Sequence, residues 1–164
     1  MIVDWSLYDR YLAHLIDPNG EANAPAEVAL ALLDLVPDPT AIEASFVEKI
    51  DVDRSTTWSG WWATQTHLVH VKASKPTDGW SGSYPEDGHA ASVVAWRVRL
   101  DRVVSVSIVD LDYRKLHFGE VRHSWTSAYE INLADGMSHP VPANGKAPSN
   151  QQSEERLRKL IDWL

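Results

Sequence analysis

Seven histidines and no cysteine are the first chemical facts of this 164-residue chain. Without a thiol there is no disulfide framework, thiolate zinc site or cysteine nucleophile. The histidines and carboxylates are the first candidates for chemistry. His67 and His70 stand three apart in a run that reads as a strand, so their side chains leave opposite faces and cannot share one ion. Leu116-His-Phe-Gly-Glu-Val-Arg-His123 is turn-like, and a loop there could gather His117, Glu120 and His123 around a metal or a hydrolytic centre, or simply leave them solvated. Asp110 and Asp112 share one side of a strand end, where paired carboxylates could serve acid–base chemistry or a hard cation. Arg114 and Lys115 beside them offer the plainer alternative of local ion pairs. No Gly-x-Ser-x-Gly elbow, P-loop or Gly-x-Gly-x-x-Gly is present. No catalytic residue, metal ligand or cofactor is assigned.

The aromatic residues carry more information. Three of the eight tryptophans fall in Trp58-Ser-Gly-Trp-Trp62. On one strand Trp58 and Trp62 face one way and Trp61 the other. A closed barrel accepts only one of those faces, so the other indoles must be covered from outside or exposed as a binding surface. Trp80 and Tyr84 lie in a Gly- and Pro-rich stretch, Ser74 to Gly88, that reads as a surface loop. Arg97 and Arg99 share a strand face and could hold an acidic peptide or pair with acidic helices near the N-terminus. Trp58, Trp61, Trp80, Tyr84, Arg97 and Arg99 are therefore the candidate binding residues.

Around these residues the periodicity predicts helices at 2–16 and 25–36, closed by Asp17-Pro-Asn-Gly20 and Pro37-Asp-Pro39. Residues 41–50 fit either period and are read as a strand over 44–51. Strands follow at 57–63, 67–73, 92–99, 103–110, 124–133 and 137–141, where β-branched and aromatic runs alternate with turn residues. Ala134-Asp-Gly136 signals a tight hairpin between the last two. A closing helix capped by Ser153 has an apolar face of Leu157, Leu160, Ile161 and Leu164, with Arg156, Arg158 and Lys159 toward water.

Seven strands and one amphipathic helix follow the element order of a PH-like barrel, and three stretches resemble bacterial members of that superfamily. Trp62-Ala-Thr-Gln-Thr-His-Leu-Val-His-Val71 is similar to the hairpin in which an aromatic strand turns through a threonine. Val94-Ala-Trp-Arg-Val-Arg-Leu-Asp-Arg-Val-Val-Ser-Val106 is similar to the next one. Tyr129-Glu-Ile-Asn-Leu-Ala-Asp-Gly136 is similar to the last, and Trp163 lies where PH domains carry a helical tryptophan. The resemblance covers residues 45–164. It implies an α+β fold, a bent antiparallel barrel of about seven strands capped by the C-terminal helix, and a scaffold that binds phosphoinositides, peptides or proteins. Residues 1–40 are then an N-terminal helical extension whose Trp5 and Tyr8 pack on a PH-like domain at 41–164. Phosphoinositide binding needs basic residues around the first hairpin, where Lys49-Ile-Asp-Val-Asp-Arg54 places Asp51 and Asp53 instead.

The net charge of −8 is concentrated in residues 1–50, which hold nine Asp/Glu against two Lys/Arg; the remainder holds fourteen against thirteen. That balance argues against nucleic-acid and membrane-surface partners. With no apolar run of bilayer length and no leader pattern, the expected compartment is the cytoplasm. The expected function is a non-catalytic protein or peptide binding module. Its rivals are a small-ligand barrel, a hydrolytic enzyme using the histidine and carboxylate loop, and an acidic immunity-type inhibitor that covers a basic toxin. Because the histidines lack shared-face spacing, dialysed protein should hold less than about a tenth of an equivalent of transition metal by elemental analysis.

Overall fold

The computed structural model describes residues 5–17, 22–82, 90–118 and 120–164, with side chains described for all of these except 5–8 and 114–123. Two helices open the chain, α1 (Trp5–Leu15) and α2 (Ala26–Leu35). Four strands follow, β1 (Ile42–Val52), β2 (Ser55–Thr64), β3 (His67–Lys75) and β4 (Ser92–Arg99), and pair in sequence order as an antiparallel meander. A second antiparallel meander contains β5 (Val103–Phe118), β6 (Glu120–Leu133) and β7 (Ser138–Val141), and α3 (Gln151–Ile161) ends the chain. The fold is α+β, with every expected element present. The ambiguous stretch 41–50 is a strand.

The expected barrel does not close. No strand of the first sheet is hydrogen-bonded to one of the second among the described residues. The chain leaves β4 through one 3-10 turn, Leu100–Arg102, pinned by Leu100 N–H donating to the Thr66 carbonyl and by the Arg102 carbonyl accepting from Ala134 N–H. That corner drops β5 into a second layer, where it pairs only with β6.

β2 decides the layering. Its register sets Trp61 beside Phe46 of β1 and His70 of β3 on one face, while Trp58 and Trp62 occupy the other. Trp58 and Trp62 are buried under Tyr11 and Leu15 of α1 and Val28 and Leu32 of α2. The indole N–H of Trp62 donates to the His14 carbonyl at 3.0 Å, and that of Trp58 to the Trp80 carbonyl at 2.8 Å. Trp61 is buried on the opposite side, in a core shared with Ile131 and Leu133 of β6 and Leu157 and Leu160 of α3. The first sheet is therefore sandwiched between helices and a second sheet, and residues on both of its faces are apolar. Trp5 and Tyr8 lie outside the described side chains.

Two local expectations need correction. The α3 cap is Asn150, whose extended backbone lets its side chain accept from Ser153 N–H at 2.8 Å; Ser153 is the acceptor's partner and not the cap. Arg156 does not point to water: its guanidinium donates to the Ile16 carbonyl at 2.8 Å and ties α3 to the end of α1. Trp163 follows the last helical residue and is partly exposed. The Ala134–Gly136 hairpin forms as expected, with Gly136 at φ 86.

The Trp62 indole lies across Gly60, and a Cβ there would fall inside its ring. Gly60→Ala should consequently destabilise the protein by about 1–3 kcal/mol, the usual range for overpacking, measured by denaturant unfolding. It should also shift Trp62 away from the His14 carbonyl.

Candidate interaction surface

β5 and β6 form the longest ribbon of the molecule. Their register pairs Val106 with Ile131 and Ile108 with Tyr129, and then, past a bulge between Ile108 and Asp110, Leu111 with Ser127 and Tyr113 with Trp125. Directly opposed residues share a face, so Tyr129, Ser127 and Trp125 lie on one side of β6. The extra residue at the bulge flips the parity of β5 and brings Leu111 and Tyr113, in place of Asp110 and Asp112, to that same side. The lower part of this face is the core: Ile131 and Leu133 are buried, and Val103 and Val106 pack against them. Beyond it the cover stops, leaving Ile108 (59 %), Leu111 (52 %), Tyr113 (53 %) and Trp125 (49 %) about half exposed in one register-aligned patch.

The α3 helix flanks this patch. The Arg158 guanidinium stands 5.2 Å over the Trp125 ring and donates through Nε to Glu154 Oε1 at 2.6 Å. Glu154 is buried, and its other oxygen accepts from Ser127 N–H at 3.1 Å. The Glu154 contact raises the Arg158 pKa above its ordinary value. Clefts of about 380 Å³ and 250 Å³ lie on the two sides of Trp125, the first toward Glu155 and Arg158 and the second toward Asp112 and Thr126.

Between the two sheets runs a polar seam. Trp61, His70 and Trp96 occupy one cross-strand row on β2, β3 and β4, and His139 of β7 meets them from the second sheet. The His139 ring lies 5.0 Å from Trp96, 5.8 Å from Trp61 and 6.1 Å from His70. His70 Nε2 sits 3.4 Å from Ser59 Oγ. Trp61 Nε1, His70 Nδ1 and His139 Nε2 are buried with no hydrogen-bond partner among the described protein atoms. Burial, with smaller contributions from His139 and Lys72, pushes the His70 pKa down to about 4; burial also lowers His139, against an opposing pull from Asp135. Both imidazoles are neutral at physiological pH.

A third feature is Glu48 on β1, which lines a cleft of about 480 Å³ with the buried Asp17. Its carboxylate accepts from Ala143 N–H at 2.6 Å. Burial first and the charge of Asp17 second raise its pKa to about 7, although the Ala143 hydrogen bond opposes them.

Of the candidate binding residues, Trp58, Trp61 and Trp80 are buried and cannot meet a partner. The strand carrying the first two is covered on both faces, and Trp80 folds back from its loop onto Thr56, whose Oγ accepts from Trp80 N–H at 3.2 Å. Tyr84 lies outside the described residues. Arg97 and Arg99 are exposed, yet Arg97 donates to the Leu35 carbonyl at 2.9 Å and Arg99 pairs with Asp101 at 3.0 Å. The partner of Arg97 is therefore a helix C-terminal carbonyl, where a cation is electrostatically favoured, and not a helix carboxylate. His67 and His70 do leave opposite faces of β3. Asp110 accepts from Ala147 N–H at 2.9 Å, while Arg114, Lys115, His117, Glu120 and His123 fall outside the described side chains. The reading of β5 as ending at 110 concealed Leu111 and Tyr113, and with Tyr113 the partner of Trp125 on β6. The apolar and acidic alternation of Val109-Asp-Leu-Asp-Tyr113 was the signal that could have extended it.

The two perturbed groups act on stability in opposite directions. His70 titrates near 4 when folded and near its ordinary 6.5 when unfolded, so its contribution is present above 6.5 and is lost as pH falls to about 4. Glu48 is held at about 7 against 4.5, so its contribution is present below 4.5 and is lost as pH rises to about 7. Each interval corresponds to roughly 3 kcal/mol. Denaturant unfolding from pH 4 to 8 should show Glu48→Gln gaining stability over the wild type as pH rises. His70→Gln should lose the acid-side decline specific to the imidazole.

No helix among the described residues is long and apolar enough to cross a membrane. No family model, curated protein or solved structure matches the chain, so the geometry of its own surface carries the functional reading.

Proposed function

We propose that the chain is a non-catalytic, PH-like protein or peptide binding module that docks its partner on the β5–β6 ribbon. The PH-like part of this reading is supported by element order: meanders of four and three strands are followed by a helix that buries Leu157 and Leu160 between the sheets. The observation that carries the binding part is the patch of Ile108, Leu111, Tyr113 and Trp125. Four large apolar side chains aligned by register and about half exposed exceed the scattered apolar residues of an ordinary surface, and such patches mark interaction sites. Trp125 and Tyr113 are directly opposed and supply the amphipathic rings that dominate interface energetics.

Because these side chains are half exposed, replacing them should leave the fold intact while removing binding energy. The double variant Leu111→Lys/Trp125→Ser should keep its unfolding free energy within about 1 kcal/mol of wild type, and should recover none of the specific partner that wild-type protein retains from native cells. Retention of the same partner by the double variant would rule the patch out. The rival small-ligand reading has one observation in its favour, the buried Glu48 carboxyl, its pKa raised by burial, beside Asp17 in a cleft of about 480 Å³. A ligand there would be lost from Glu48→Gln and kept by the patch variant.

A further inference from the structure

We propose that the partner strand taken by this surface is a second copy of the chain, with β5 pairing antiparallel to β5 across a twofold axis at Tyr113. The inference rests on the ribbon being a docking surface and names its occupant.

The edges of the two sheets are unequally protected. β7 is four residues long and carries Pro140, both of which discourage pairing. In the first sheet β4 is eight residues long and presents Arg97 and Arg99, and the other edge, β1, is packed by α1 and α3. β5 runs for sixteen residues without proline or glycine, and no other strand pairs with its outer edge among the described residues. An edge this long, with apolar residues exposed along it, is a template for a further strand.

The order of charges selects the chain's own β5 as that strand. Along Asp110-Leu-Asp-Tyr-Arg-Lys115 the acidic residues precede the basic ones, so reversing the strand sets opposite charges against each other. A twofold axis at Tyr113 places Asp112 of each copy opposite Arg114 of the other. By alternation these register positions lie on the face opposite to Leu111 and Tyr113. The same register sets Tyr113 against Tyr113 at the axis, with Leu111 opposite Lys115. Axes at Leu111 or Asp112 instead oppose Asp110 to Asp112 or Asp112 to itself, and like charges directly opposed are destabilising. Pairing from Ile108 to Phe118 would make about 37 Å of ladder at roughly 3.4 Å per residue and join the two three-stranded sheets into one of six strands.

The test is sedimentation equilibrium of the full chain at about 1–200 µM, with variants that address register. Wild type should be dimeric. Tyr113→Lys should be monomeric while still unfolding cooperatively, since Tyr113 also has contacts within its own copy. Asp112→Arg and Arg114→Asp should each weaken association at least tenfold, and the double charge swap should restore it. Asp112 also has contacts within its own copy, so recovery in the double variant is the decisive reading. A wild type that stays monomeric overturns self-pairing but leaves the patch available to a different protein, which the Leu111→Lys/Trp125→Ser experiment decides separately. A dimer indifferent to the charge swap overturns this pairing as well.

Discussion

The two-faced burial of β2 is the constraint on which the rest of the structure depends. Trp58 and Trp62 on one side and Trp61 on the other are among the largest fully buried side chains of the molecule. A strand with indoles on both faces cannot sit in a sheet with one wet side, so each face needs its own cover. The helices α1 and α2 supply one, and the second sheet with α3 supplies the other. Gly60 belongs to the same constraint, since only a residue without a side chain lets Trp62 lie flat against the strand. Arg156 reaching the Ile16 carbonyl links the two covers to each other.

This layering also explains where the surface is left open. The second sheet is held against the first through Ile131, Leu133, Leu157 and Leu160, all near one end of the β5–β6 ribbon. The ribbon is longer than the layer that covers it. Past Ile108 the side chains of this face are only partly covered, Trp125 by Arg158 of α3, and the bulge there keeps the apolar residues on that face. Had the strands closed into a barrel, β5 would have had a partner along its outer edge. The short turn at Leu100–Arg102 places it in a separate layer, and the unpaired edge follows.

The seam between the sheets has a different character from the apolar core beside it. Two neutral imidazoles and two indoles meet there, three of their polar nitrogens without protein partners. Burying polar groups unpaired costs stability, and protonating the buried His70 adds to that cost as pH falls. Glu48 at the opposite edge of the first sheet is kept near half protonation by burial, with a dependence of opposite sign. Together they narrow the pH range of full stability, His70 from the acid side and Glu48 from the neutral side.

The elements were legible from periodicity and punctuation: the order of helices and strands, the opposed faces of Trp58 and Trp61, and the Ala134–Gly136 hairpin depend on local spacing, and local spacing is what a sequence records. Residue types also showed that Trp58, Trp61 and Trp62 had to be covered or displayed, but not which. That choice depended on whether α1 and α2 folded back, which is a long-range packing event. The same limit hid the surface. One bulged residue near position 109 changes which side chains of β5 face inward, and the sequence marks it only by the adjacent Ile108 and Val109, where the apolar alternation changes parity. Trp80, read as a loop aromatic, was drawn into the core by a backbone contact to Thr56 from the far end of β2. Sequence alone determined where the helices and strands lie and in what order they run; tertiary structure decided which apolar residues were buried and which were left over, because coverage depends on how far one layer extends across another.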